Sequence, residues 1–450
     1  MKNKIAGLKS IYEKEGFQKY FKNTSWLLVE RVFRMFMSLV VGVWVARYLG
    51  PADYGAFQFA FSFVSIFLAI STLGLDDVVI RELVQGNNTK EKLLGTAFCL
   101  KIGGAFLSLI ILLISIQFLH NEEVVNFMIV IIGATTLLHG FNVIDFYFRS
   151  EIISKYVTYA NFFSLLSASI AKIILILINA PLISFAIILF VEYAVLALGF
   201  IYYYHKTKST NSIFKWEFDW GLAKELLGNS WPLIFSGMIL MLQARIDQVM
   251  IKEISTNEEV GYYSVALRLV EIFGFLPVLL SNSLFPSLVN TKKVSERLFR
   301  SRLLNYYRLN FALFLIIALP IYFFSDFIIN VLYGVEYAPV IPILSFMTIR
   351  LLFANMGTAR GSFINIENLF KYSMITMVIG TLVNICLNWL LIPEYLSMGA
   401  IFSTIVSFSV TIFIIDIFYF KTRGNVILQF LGMLTFFNLK LEFLKAQNPK

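Results

Sequence analysis

Apolar runs close to 20 residues long recur from Ser25 to Phe420, each ended by a short stretch rich in charge, Gly, Pro or Asn. A bilayer hydrocarbon core about 30 Å thick takes about 20 helical residues to cross, so each run is of spanning length. None alternates like a membrane β-strand, and a helix satisfies its own backbone in lipid. The pattern predicts twelve transmembrane helices, over 25–46, 57–75, 94–119, 126–145, 158–178, 183–204, 230–251, 261–284, 304–325, 340–359, 372–392 and 399–420. Residues 1–24 read as a basic amphipathic surface segment, with six lysines and with Ile5, Leu8, Ile11 and Phe17 toward the membrane. No apolar run with an A-x-A cleavage site follows them, so they are not read as a signal peptide. In the basic tail, 421–450, the stretch Val426 to Leu439 is predicted to be interfacial, because Asn438 and Lys440 cut it short.

Composition agrees with the pattern. Of the 450 residues 58% are hydrophobic and 14% charged, and mean hydropathy is +0.76. Soluble chains carry about 25% charged residues. A soluble enzyme, a nucleic-acid binder and a disordered scaffold are therefore excluded. Cys99 and Cys386 both lie inside apolar runs and are expected as reduced thiols. His120, His139 and His205 are far apart without a second ligand at helical spacing, so no metal site is expected. No nucleophile–base pair or phosphate-binding loop occurs, so no catalytic residue and no cofactor is assigned.

The net charge of +9 carries a topology signal. With the N-terminus placed in the cytoplasm, the loops and termini on that side hold 27 of the 37 lysines and arginines, and the opposite loops hold two, Arg47 and Lys252. That asymmetry predicts a multi-pass plasma-membrane protein with both termini cytoplasmic, and no nucleic acid is needed to explain the basic balance.

The chain also repeats itself. Ser25-Trp26 matches Ser230-Trp231, and Leu83-Val84 matches Leu288-Val289, at a shift of 205. Lys155-Tyr156 matches Lys371-Tyr372, and the Ile201–Tyr204 stretch matches Ile417–Phe420, at a shift of 216. The shifts superpose six spans on six. Two lobes are predicted, 25–204 and 230–420, joined by a polar linker, 205–229. An even number of spans gives both the same orientation, an architecture suited to alternating access at a midplane site.

Eight basic residues fall inside spans: Arg31, Arg34, Lys101, Lys172, Arg245, Arg268, Arg308 and Arg350. A charge at the bilayer centre costs about 2.5–3.5 kcal/mol on insertion scales, so few of these should face lipid. Lys101, Arg308 and Asp416 lie near the predicted cytoplasmic ends, where snorkelling suffices. Arg31, Arg34, Lys172, Arg245, Arg268 and Arg350 lie deeper and outnumber the mid-depth acids Glu30, Glu192, Asp247 and Glu271. They are the candidate lining of a cationic cavity, where arginine offers bidentate contacts to phosphate. Ion pairing is the competing reading: Glu30 with Arg34 at i,i+4, Arg268 with Glu271 at i,i+3, and Asp76 or Glu271 as partner of the first-span arginines. Glu30, Asp247 and Glu271 are also candidate acids for proton or sodium coupling.

The stretch Val45-Ala-Arg-Tyr-Leu-Gly-Pro-Ala-Asp-Tyr-Gly55, with Leu73-Gly-Leu-Asp76 and Arg81-Glu82, resembles the N-terminal signature of Wzx-type polysaccharide (O-antigen) flippases. These belong to the multidrug/oligosaccharidyl-lipid/polysaccharide (MOP) exporter superfamily. The resemblance extends over the twelve spans and leaves out the tail from about 425. It implies an all-α alternating-access transporter that moves an undecaprenyl-diphosphate-linked oligosaccharide to the outer leaflet of the bacterial inner membrane. It further implies membrane lipids, a polysaccharide polymerase and chain-length machinery as partners. Arg31, Arg34 and Arg245 are the residues to which it would give diphosphate binding. Within the motif, Arg47, Gly50, Pro51, Gly55 and Asp76 are read as structural, with the glycines and proline shaping a turn.

Two other functions compete. A drug or cation antiporter of the same superfamily would be expected to carry an acid-dominated lumen. A membrane polysaccharide polymerase needs a sizeable external catalytic loop, whereas the longest predicted here is 326–339.

Overall fold

The computed structural model describes residues 15–119, 121–207 and 212–439. The N-terminal surface-segment reading falls outside these for residues 1–14, and Glu15 onward opens the first helix. Among the described residues all regular structure is helical. In chain order the α-helices are α1 (Glu15–Thr72), α2 (Asp76–Gln85), α3 (Lys90–Ile116), α4 (Glu123–Leu138), α5 (Val143–Ser150), α6 (Lys155–Leu177), α7 (Ile183–Thr207), α8 (Trp220–Ile254) and α9 (Asn257–Glu271). They continue as α10 (Phe275–Val294), α11 (Glu296–Phe323), α12 (Ser325–Leu332), α13 (Val340–Met347), α14 (Ile349–Ile366), α15 (Phe370–Ser409), α16 (Ile415–Phe418) and α17 (Arg423–Leu434). Among the described residues ten helical stretches are long and apolar enough to cross a membrane, which makes this a multi-pass membrane protein.

Two of the ten are long because helices join across one non-helical residue. In α15 that residue is Leu396, at φ 52° and ψ −133°. In α1 it is Gly50, at φ 70° and ψ 173°, a backbone region that glycine alone enters at low cost. Pro51 follows, and its fixed φ and missing N–H suit the first position of a new helix. One turn later a Cβ on Gly55 would run into the Asn257 carbonyl and stand 2.8 Å from the Gly261 nitrogen, and a Cβ on Gly261 would strike the Pro51 carbonyl. The paired glycines let two backbones touch. The motif that carried the family resemblance is thus a packing device on the first turns of α9.

The chain forms two compact units. One takes the chain up to Leu49 together with Phe59–Arg245, and the other takes Gly50–Gln58 and Ile246 onward. The first has a core around Leu94, Ala97, Tyr147, Phe148, Tyr204 and Leu226. A strap at 212–219 crosses the start of α3 there: Glu217 N donates to Glu91 O at 3.3 Å, Asp219 N to Thr96 Oγ1 at 3.0 Å, and Trp216 Nε1 to Tyr204 OH at 3.3 Å. The second unit is built on Phe299, Tyr306, Tyr307, Phe353, Met356 and Phe413. Here α17 lies against α11, with Val426 and Gln429 buried and Tyr307 OH donating to Asn425 Oδ1 at 2.8 Å. The tail stretch expected at the interface is therefore a helix with one face in this core.

Large apolar side chains on the outer faces stay uncovered, as Phe106, Ile110 and Ile114 do on α3. Hydrocarbon is the solvent that accommodates such a surface at no cost.

Candidate functional site

In the first unit the embedded charges divide into paired and open. Arg34 donates Nε to Glu30 Oε1 at 2.8 Å, one helical turn apart on α1, and its side chain remains 43% exposed. Arg31, on the same helix, is exposed and forms no ion pair with a described residue. Lys172 on α6 pairs with Glu192 on α7 at 3.0 Å. Ser164 Oγ donates to the Glu192 carbonyl, fixing α7 against α6. Arg245, near the end of α8, sets its guanidinium 6.0 Å from the Phe61 ring centre. Arg47 is exposed on the turn before Gly50.

Lys101 departs from the expected snorkelling. It is buried on α3, its Nζ 2.8 Å from Asp76 Oδ1 and 4.6 Å from the Phe146 ring centre. Asp76, the first residue of α2, is thereby committed to Lys101 rather than to the α1 arginines. Nearby, the half-buried His139 ring sits 4.7 Å from that of Tyr193.

In the second unit the deep charges meet polar side chains. Arg268 on α9 directs NH1 to Tyr54 OH at 3.4 Å, with Tyr333 and Glu271 in electrostatic reach. Tyr333 and Tyr337 lie outside the spanning segments, where burial pushes both phenols above their usual range. Tyr333 stays neutral and offers Arg268 a phenol dipole rather than a phenolate. Arg350 on α14 stands 5.6 Å from the Phe408 ring centre, with a buried NH1 that has no hydrogen-bond partner.

Asp247 on α8 is the most enclosed of the candidate acids, at 3% exposure. Its Oδ2 accepts from Tyr263 OH and from Thr404 Oγ1, each at 2.6 Å, and its Oδ1 accepts from Asn388 Nδ2 at 2.8 Å. Asn384 lies one turn away on α15 and bonds both Asn388 and Thr404. Among the described residues Asp247 has no ion pair within 4 Å, so three neutral donors replace its hydration shell. Arg350 faces the same cluster through Tyr263 and Asp247.

These neutral partners are not among the charged residues that the sequence singles out. Asn384 and Asn388 at i,i+4 with Thr404 were a legible signal, since buried amides in apolar helices need partners. Arg360 was assigned to a cytoplasmic loop, yet it is buried on α14. Its Nε and NH2 grip Asp416 at 2.7 Å each, while Tyr372 OH donates to Asp416 Oδ1 at 2.8 Å. The five-residue π turn Val410–Ile414 precedes α16 and shifts the register that carries Asp416 inward. Asp416, fully buried, does not snorkel, whereas the half-buried Arg308 reaches Asn305, Thr435 and the Asn438 carbonyl.

Residues 20–292 match the family described as polysaccharide biosynthesis protein. No curated protein matches the sequence. Among solved structures, the lipid II flippase MurJ in an inward closed conformation is similar at a TM-score of 0.69 and 14% identity, over 93% of this chain and 92% of that one. An inward-facing multidrug resistance MATE family transporter of the MOP superfamily is similar at 0.65 and 14% identity, over 91% of this chain and 97% of that one. At such identity the likeness shows the fold alone, shared with these two proteins.

Proposed function

The chain belongs to the polysaccharide biosynthesis protein family, and from that premise we propose that it is a flippase for a lipid-linked oligosaccharide. The observation that carries this reading is the family match on a chain with the exporter fold. The substrate is an undecaprenyl-diphosphate-linked repeat unit, moved from the cytoplasmic to the outer leaflet of the plasma membrane by alternating access. Both termini are cytoplasmic, and polymerase and chain-length machinery act on the product.

The diphosphate is the part of such a substrate that apolar helices repel most. Arg31 and Arg34 supply charge for it on α1, and the exposure left to Arg34 beside Glu30 makes it reachable. Arg245 is the third member of the set, with Lys172, Arg268 and Arg350 as further cationic lining. Asp247 is the leading coupling acid for a proton or sodium ion, ahead of Glu30 and Glu271. Its buried carboxylate is met by neutral donors, so its charge is open to change without breaking a salt bridge. No cofactor takes part, and the protein makes and breaks no covalent bond.

A drug or cation antiporter is the second reading, favoured by the likeness to the MATE transporter. Lipid-linked glycans of a deletion strain separate the two. Complete single repeat units trapped on the cytoplasmic face support the flippase, and an unchanged glycan pool supports the antiporter. Arg34→Ala and Arg245→Ala should each stop glycan export at unchanged membrane abundance. Normal export by both removes the cationic-site argument.

A further inference from the structure

A cavity of about 340 Å³ opens in the first unit between the strap at 212–219, the start of α3 and the turn after α4. Phe98, Cys99, Phe141, Phe214, Trp216 and Phe218 line it. Phe98 forms its inner wall, 5.0 Å from the Phe141 ring and 5.3 Å from Trp216. The site is preformed: strap hydrogen bonds to Glu91, Thr96 and Tyr204 hold the roof, and Gly95 lets the Glu217 backbone approach α3 more closely than any side chain would permit.

We propose that this groove holds one acyl chain of a phospholipid from the surrounding leaflet. Three observations favour that occupant. The exposed stripe of α3, with Ile114, Ile110, Phe106, Gly103 and Cys99 at helical spacing, runs without interruption into the groove at Cys99. The bilayer surface of the unit is therefore continuous with the cavity, and its lipids are the molecules at the entrance. At the rim, exposed Lys92 and Lys215 are matched by exposed Glu91 and Glu217, so a headgroup of neither sign is selected. Recognition falls to the hydrocarbon, against an aromatic lining whose burial gain scales with apolar area. Finally, Phe214 and Trp220 stand 90% and 73% exposed on and just past the strap. Aromatic side chains so placed belong at a membrane–water interface, level with the first carbons of an acyl chain. The bound lipid fastens the strap to the bilayer surface.

The test uses the full chain in phosphatidylcholine vesicles doped with a phosphatidylcholine that carries a photoactivatable diazirine on its acyl chain. After irradiation, adducts are mapped by peptide mass spectrometry. Adducts are expected at Phe98, Phe141 and Trp216, the half-buried aromatics of the groove, in addition to the exposed Phe106 and Ile110. Cys99→Trp, which fills the groove, should cut the adducts at Phe141 and Trp216 several-fold and leave those at Phe106 and Ile110 unchanged. Cys386→Trp, at the other exposed cysteine, should change none of them. Phosphatidylglycerol vesicles should give the same map. Adducts confined to the outer stripe overturn the proposal on the unmodified protein, whatever the variants do. So does a strong preference for one headgroup. Displacement by a polyprenyl phosphate, where equal unlabelled phospholipid is inert, overturns it in favour of an isoprenoid occupant.

Discussion

Asp416→Asn removes one charge from the most enclosed ion pair in the second unit. Arg360 is 5% exposed and Asp416 is fully buried, with two contacts of 2.7 Å between them. Asparagine keeps the shape and leaves the guanidinium buried without a counter-charge. Breaking a buried pair in that way costs about 3–5 kcal/mol. At about 1.36 kcal/mol per tenfold, the unfolding equilibrium shifts by roughly two to four orders of magnitude. That is a large share of a typical stability of about 5–15 kcal/mol.

Replacing both partners, as Arg360→Met with Asp416→Leu, removes the desolvation penalty along with the attraction. An apolar pair of similar volume is often neutral or better. Recovery should be incomplete, because Tyr372 and Thr376 also bond this pair at 2.8 and 3.3 Å. A buried polar group left unpaired costs about 1–3 kcal/mol. Tyr372 keeps an alternative partner in Thr422 at 3.4 Å, so the double variant should fall nearer wild type than Arg360→Met or Asp416→Leu alone. Reversible unfolding in mixed detergent micelles, followed by tryptophan fluorescence, gives the four stabilities of the cycle. Equal stability of Asp416→Asn and wild type would refute the reasoning, as would singles that simply add in the double.

Asp247→Asn should abolish export at normal abundance if this carboxylate carries the coupling charge; full export in a proton- or sodium-gradient vesicle assay removes it from that role. Gly55→Val and Gly261→Val should each lower the amount of folded protein, because the added side chains meet the backbone of Asn257 and Pro51; detergent-solubilised yield by size-exclusion chromatography reads this out, and unchanged yields contradict the close packing. Tyr54→Phe should cost only about 1 kcal/mol, since the hydroxyl bonds Arg268 at a long 3.4 Å, toward the weak end for charged partners; a loss as large as that of Asp416→Asn would show that the phenol holds Arg268 alone.

The membrane class and the all-helical fold were legible because lipid demands a long apolar run wherever a helix crosses, and such a run is local in sequence. The Gly50-Pro51 break was legible for the same reason. Partner choice was not. Lys101 with Asp76 and Arg360 with Asp416 join residues 25 and 56 positions apart, and depth along a span does not reveal them. Depth misled directly at Lys101, which turns inward although a snorkel was within reach. The role of Gly55 was legible only as a turn; its contact with Gly261 is tertiary. Asn425 and Gln429 marked the buried face of α17, but in a stretch of mixed polarity they read equally well as interfacial residues.

The charge surplus that suggested an anion site narrows once partners are assigned. A lone embedded charge costs about 2.5–3.5 kcal/mol on insertion scales, and a carboxylate neighbour offsets much of that. Lys101, Lys172 and Arg360 each have such a neighbour. Arg268 and Arg350 have aromatic and phenolic surroundings with an acid in reach. These five charges hold helices together whether or not a substrate is present. On α1 the balance differs, because Glu30 is engaged by Arg34 and Arg31 gains no acid among the described residues. On the flippase reading proposed above, Arg31 is the charge on α1 left for the anionic part of the substrate, and Arg31→Ala should lower glycan export at unchanged membrane abundance; unchanged export would take α1 out of that reading.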